Sequence, residues 1–441
     1  MKITGIKRWV VLVFVSILSG TMVYTPYLRF NYYDQMVIVF TEYKPLVDAS
    51  VANSFMGDLS LVVGVISMVM YVLGGPLADK FCERNMVALG GVTLGVGSLL
   101  FAALISSEMV LLAHAIMALG VGFMFSAYLK LIRKLGDAHE QGRMYSSSEF
   151  VRGLIGTCLG FLGVGLLDQA VLPSGVTDPT IVGQQFALLL ILNAVVYFVL
   201  SAVIMFLVPK KVIGAEFATE EEAAAAEVPF TLKSMIDVIK MPGVWLIAIL
   251  VFFCYSFVSA GNGYIGTYTV QVLGVDETLA SSFAIVRNYI IAAASTLLIG
   301  FVALKFKSEA RTLGVYLGIS AILVVIMLLT QGTAMICVVV SFVFAFFYTG
   351  MKGLYFATLH EVAIPVHLTG VATGIISVIC YTPDIFFGKL AGFWLDTYGT
   401  VGFDYIWFWA IGCGVLGVIS SIITVRYSKK VLAKTDAKLA E

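Results

Sequence analysis

The chain has 441 residues, of which 60% are hydrophobic and 12% charged, whereas charged residues make up roughly a quarter of a soluble globular domain. That balance excludes a soluble fold, and 27 basic residues against 27 acidic ones leave no net charge with which to hold nucleic acid. What remains is an all-α integral membrane protein.

Allowing about 20 residues per crossing, apolar segments fall near 9–29, 54–76, 85–105, 108–131, 144–168 and 184–208, then near 244–270, 280–303, 312–329, 333–357, 369–393 and 403–426. The expected architecture is twelve transmembrane helices in two six-helix pseudo-repeats, 1–208 and 244–441, joined by a cytoplasmic linker at 209–243. The first segment follows Lys2, Lys7 and Arg8 as a signal peptide would, but it is too long and lacks a small-residue cleavage site, so it is predicted to stay as crossing 1. Within the linker an acidic stretch (Glu220, Glu221, Glu222, Glu227) precedes 230–240, where Phe230, Leu232, Ile236 and Ile239 suit an amphipathic surface helix. Twenty of the 27 Lys and Arg fall in loops on the side of the N-terminus and only Lys44 falls opposite, which predicts that both termini are cytoplasmic. Trp394, Trp407 and Trp409, near the outer ends of crossings 11 and 12, read as interfacial belt residues.

Six cations lie inside the apolar segments: Arg29, Lys130, Arg152, Arg287, Lys352 and Lys389. A charge near the bilayer centre costs at least about 2.5–3.5 kcal/mol and is kept only where it faces the bundle interior or a cavity. Crossings 3, 6 and 9 have no charge in their apolar runs and are suited to face lipid. Lys130 and Lys352 are near the cytoplasmic ends of crossings 4 and 10 and can snorkel to the interface. Arg152 follows Glu149 by three residues on one helical face, which predicts a local ion pair. Arg29, Arg287 and Lys389 occupy the middle-to-outer parts of crossings 1, 8 and 11, with Pro26 positioned to kink the first of them and Asp384 close to Lys389.

Between crossings 2 and 3 runs Gly75-Pro-Leu-Ala-Asp79-Lys80-Phe-Cys82-Glu83-Arg84, and Gly300-Phe-Val-Ala303-Leu304-Lys305-Phe306 repeats its Gly, Ala, Lys and Phe 225 positions later with Leu304 in place of Asp79. Gly142 with Gly370, Gly160 with Gly388, and Leu167-Asp168 with Leu395-Asp396 keep an offset of 228, which argues for two parallel copies of one unit. The turn resembles the loop between helices 2 and 3 of the major facilitator superfamily, with Cys82 and Glu83 as departures. That resemblance implies a cytoplasmic gate built on Gly75, Asp79, Lys80 and Arg84. Tyr27-Leu28-Arg29-Phe30-Asn31-Tyr32 is similar to a crossing 1 stretch of the organophosphate:phosphate antiporters, and Leu359-His360, Gly370-Val-Ala-Thr-Gly374 and Tyr381 follow in that family's order. The likeness implies that Arg29 grips the substrate. Crossing 7, Val258 to Tyr268, has no basic residue where that family has one, while the cations of crossings 8 and 11 are reminiscent of the oxalate:formate antiporters, in which an Arg and a Lys of those helices hold a dicarboxylate.

The function expected is secondary active transport of a small organic anion, a carboxylate or phosphorylated metabolite, by alternating access. Arg29, Arg287 and Lys389 would hold the anion, and Asn262, Tyr264 and Tyr381 would hydrogen-bond it. Asp384 would balance the charge, and Asp34, Glu149 and Arg152 would serve coupling. The partners expected are the lipid bilayer and a co-transported proton or counter-anion, with the chain a monomer. The alternative is a proton-coupled symporter of a neutral or sugar-like solute, with Asp34, Asp58, Glu149 or Asp384 as proton carrier. Neither cofactor nor metal is expected, since the six Cys and the four His (His114, His139, His360, His367) lack ligand spacing. An enzyme is not expected either, because no Ser/His, His-Glu-x-x-His or paired-Asp constellation is present.

Overall fold

A computed structural model describes residues 3–136, 141–170, 177–210, 212–213, 232–362, 364 and 368–440, with the side chains of Gly75, Asp79 and Lys80 outside the described set. The acidic stretch of the linker likewise lies outside the described residues. Every regular element described is a helix, and the chain divides into two compact units, Met1–Pro229 and Phe230–Glu441. Eleven helical stretches are long and apolar enough to cross a bilayer, and the last, Val371–Val431, holds 61 residues, enough for two crossings. The twelve-crossing all-α fold is therefore the one observed.

In the first unit, α1 (Gly5–Met22) stops short of Pro26, which has no amide proton to continue a helix. The chain continues as a 3-10 segment, Thr25–Phe30, then α2 (Tyr33–Ile38) and a π-helical turn, Val39–Tyr43, so crossing 1 is broken where Pro26 predicts a kink. There follow α3 (Ala52–Lys80), α4 (Glu83–Ala103), α5 (Ser107–Leu135), α6 (Gln141–Leu167) and α7 (Pro179–Leu207). Helix α4 packs against both α5 and α7. Its approach to α5 requires glycine, since a methyl group at Gly90 would lie 2.7 Å from the Gly120 carbonyl oxygen. Phe101 sits at the centre of an aromatic core, with His114 at 4.8 Å, Phe186 at 5.5 Å and Phe40 at 6.2 Å between ring centroids. The His114 Nδ1 is 2.8 Å from the Val110 carbonyl, so this imidazole is a satisfied core group.

The second unit contains α8 (Leu232–Ile239), α9 (Pro242–Gln271), α10 (Glu277–Ile285), α11 (Ala292–Phe306), α12 (Glu309–Leu329), α13 (Ala334–Gly350), α14 (Thr369–Cys380), α15 (Pro383–Tyr398) and α16 (Gly402–Ala440). The amphipathic segment of the linker forms α8 and packs on α14, with Val238 buried and Ile236 and Ile239 exposed. A π-helical turn, Val286–Ile291, joins α10 to α11 within one crossing. Crossing 11 is broken at Tyr381 and Thr382, and Pro383 opens α15 as a first-turn proline. Trp407 departs from the belt expectation: it is fully buried with Phe403 and Ala410 on one face of α16, its ring edge-on to Tyr268 at 5.4 Å. Proximity to the end of a crossing fixes depth but not helical face, and here the face points inward.

Candidate functional site

Polar residues cluster in three places in the first unit. Arg29 sits in the 3-10 break, 4% exposed, with its guanidinium 4.9 Å above the Phe30 ring. Its Nε and Nη1 make no hydrogen bond, and it lies within electrostatic range of His114. The second cluster spans α1, α5 and α6. Arg152 pairs with Glu149, as the i,i+3 spacing predicts, and lies 5.4 Å from the Tyr128 ring. The Tyr128 hydroxyl is 2.6 Å from Ser148 Oγ, itself 2.7 Å from Ser16 Oγ. Asp34 and Asp58, the other carboxylates of interest, are half-buried.

The third cluster lies where α4 begins and α5 ends. Glu83, 6% exposed at the first turn of α4, accepts from Lys134 at 2.5 Å with Lys130 at 3.7 Å. Its carboxylate also sits favourably at a helix N-terminus. Lys130, expected to snorkel, is thus tied to an acid. In sequence Glu83 reads only as a departure from the gate motif; the signal that could have found it is Lys130 and Lys134, one turn apart and both basic. Arg84, of the expected gate, donates to the Met205 carbonyl at 3.3 Å and to Asn85 at 3.2 Å.

In the second unit Arg287 lies in the π-helical turn of crossing 8, and such turns frequently accompany functional sites. It is 2% exposed, 5.6 Å from the centre of the Phe342 ring. Its Nη1 makes no hydrogen bond, and among the described residues no carboxylate pairs with it. It is within electrostatic range of Tyr348, whose hydroxyl donates to Asn262 Oδ1 at 2.9 Å. Of the other expected ligands, Tyr264 spends its hydroxyl on the Gly388 carbonyl at 3.1 Å, and Lys389 is exposed on α15. Asp384, in the first turn of α15, accepts from the Tyr255 hydroxyl at 2.6 Å and faces Ser259 Oγ at 3.4 Å. Tyr381 packs edge-on against Tyr255 at 4.6 Å, so the break in crossing 11 is fastened to α9 by one carboxylate and one ring pair.

At the start of α12 the Glu361 carboxylate, from the 3-10 segment Ala357–Val362, accepts from the Ser308 hydroxyl at 2.9 Å, the Glu309 amide and the Ala310 amide at 3.1 Å. The Ser308 Oγ in turn accepts from the Arg311 amide at 3.1 Å, so the first three amides of the helix are satisfied. Burial, with the Glu309 carboxyl alongside, pushes Glu361 up to about 7. No group of His, Cys, Asp and Glu among the described residues is arranged to hold a metal ion.

A profile of the Major Facilitator Superfamily matches residues 10–388. The inner membrane protein YqcE of Escherichia coli (strain K12) is 25% identical over 437 residues, covering 97% of each chain. Among solved structures, a D-xylose–proton symporter superposes with a TM-score of 0.70 at 15% identity, covering 96% of this chain and 97% of its own. A bacterial homologue of the human lysosomal transporter Spinster, inward-facing and unoccupied, also gives 0.70 at 14% identity, covering 98% of both.

Proposed function

We propose that this chain, which belongs to the major facilitator superfamily and so is a transporter, moves a small organic anion across the cytoplasmic membrane by alternating access. The observation that carries the reading is Arg287. A guanidinium this deeply buried loses hydration worth several kcal/mol, and that loss is repaid only by an opposite charge and by filled donor positions. Arg287 has a ring face and an unused Nη1 instead. An anionic cargo supplies both missing items, and a planar guanidinium matches a carboxylate or phosphate in a two-pronged grip. Lys389, exposed on α15, is a further cation for that cargo in the second unit, with Asn262 and Tyr381 as polar neighbours, and Arg29 is the cation that the first unit offers an anion. The location in an inner membrane draws on the name of the Escherichia coli relative, and the cytoplasmic termini on the skew of Lys and Arg.

A second reading, proton-coupled symport of a neutral solute, is favoured by Asp384, a carboxylate fixed between two hydroxyls at a helix break, and by the xylose symporter among the structural neighbours. Ligand-induced thermal stabilisation of the purified protein separates the two. Succinate or glycerol 3-phosphate should stabilise wild type, and Arg287→Gln should bind that anion about 30-fold more weakly, on the order of 2 kcal/mol. Stabilisation by D-xylose with no response to either anion would replace the first reading by the second.

A further inference from the structure

The break that carries Arg29 is fastened to two other elements, α6 and α7, by tyrosine hydroxyls. After α1 ends at Met22, the backbone makes turn bonds that include Tyr24 N to Thr21 O, Tyr27 N to Tyr24 O, and Asn31 N and Tyr32 N to Leu28 O, and Tyr27 leaves the helical region at φ −119°, ψ 23°. The hydrogen-bond geometry of a 3-10 segment is poorer than that of an α-helix, so outside contacts count for more in holding it. From α7, the Tyr197 hydroxyl lies 2.6 Å from the Thr21 carbonyl and 2.7 Å from Thr25 Oγ1, immediately before Pro26. Past the end of the break the Tyr32 hydroxyl bonds the Gly160 carbonyl at 2.5 Å, and from its start Tyr24, 3.0 Å from Tyr32, bonds the Leu159 carbonyl at 2.8 Å. All three tyrosines are 0–1% exposed. The seat for Tyr32 is cut to size, since a methyl group at Gly163 would lie 2.2 Å from its hydroxyl oxygen.

Crossing 6 is charge-free, and α7 turns Ile191, Val195 and Val199 outward in keeping with a lipid-facing helix. Tyr197 is on its opposite face. A buried tyrosine used only for packing could be phenylalanine; a hydroxyl that adds a second bond to the Thr21 carbonyl at the helix break and reaches Thr25 Oγ1 has a specific task. We infer that Tyr197 is a positioning residue for anion recognition: with Thr25 it fixes the start of the 3-10 break to α7, while Tyr24 before the break and Tyr32 after it fix its two ends to α6, so that the Arg29 guanidinium is held in one place before cargo arrives. Preorganisation of this kind acts on affinity, because a loosened arginine must be ordered at the moment of binding.

The inference rests on the anion reading of Arg29, and the test keeps the two apart. Affinity for succinate and for glycerol 3-phosphate is measured by calorimetry on purified wild type, Tyr197→Phe, Thr25→Val, Arg29→Gln and the double variant Arg29→Gln/Tyr197→Phe, with melting temperature recorded for each. Loss of one hydroxyl bond should weaken anion binding about five-fold in Tyr197→Phe and in Thr25→Val. In the Arg29→Gln background Tyr197→Phe should add almost nothing, since a positioning residue acts through the group it positions. A merely structural tyrosine would lower the melting temperature and leave affinity alone, or would weaken binding equally with and without Arg29; either result overturns the positioning role while leaving Arg29 in place. Wild-type affinity in Arg29→Gln, or binding of neither anion by wild type, overturns the reading of Arg29 and the positioning role with it.

Discussion

At the scale of the residue, buried charge is what separates function from packing in a chain this apolar. Arg152 and Lys130 find carboxylates within the first unit, whereas Arg287 finds a phenyl ring and a phenol in the second. The sequence exposes all six intramembrane cations by contrast with their surroundings, and the Glu149–Arg152 pair by its spacing. It does not reveal Glu83, whose partners are 47 and 51 residues away, because ion pairing across helices depends on tertiary approach rather than on local periodicity. Glu83→Gln should leave Lys134 and Lys130 without their acid and lower the stability of the first unit by about 1–2 kcal/mol, less than for a fully buried pair because both lysines remain about one-fifth exposed. Thermal denaturation of the purified variant checks this, and an unchanged melting temperature would count the cluster as a surface pair.

Helix ends and breaks carry the chemistry at the scale of the element. Pro26 announces the break in crossing 1 and the hydrophobic runs announce nearly every crossing, whereas the break in crossing 11 before Pro383 came from the structure. The π-helical turn around Arg287 has no signature in the pattern, because one extra residue in a turn leaves apolar periodicity almost intact. The clasp at α12 was hidden for another reason: Glu361 reads as one acid in a polar loop until folding sets it against three donors. Its proton affinity gives a signed prediction. The clasped carboxyl titrates near 7 and a released one near the ordinary 4.5, so the clasped state holds the extra proton between those values. Clasp stability is therefore greatest at the acid end and falls as pH rises from about 5 to 7, with no further loss above. Glu361→Gln, permanently uncharged, should gain melting temperature relative to wild type across that window. A constant difference between the two proteins from pH 5 to 7.5 would show that Glu361 is not the titrating group.

On the scale of the whole molecule, the repeat offset of 225–228 residues is legible in a handful of glycines and one Leu-Asp pair, and the two units carry their cations differently. The first holds Arg29 on a break tethered by tyrosines; the second holds Arg287 on a π-helical turn against an aromatic wall. Alternating access in this superfamily moves a cargo between two faces of the membrane, so the cargo's charge decides which of these features matter. The most direct measurement is counterflow in proteoliposomes preloaded with unlabelled succinate, glycerol 3-phosphate, D-xylose or uridine and diluted into the labelled compound. An anion carrier built on Arg287 should show transient accumulation of at least one of the two anions, abolished in Arg287→Gln and retained in Glu361→Gln. Accumulation of xylose or uridine alone, unaffected by Arg287→Gln, would contradict it.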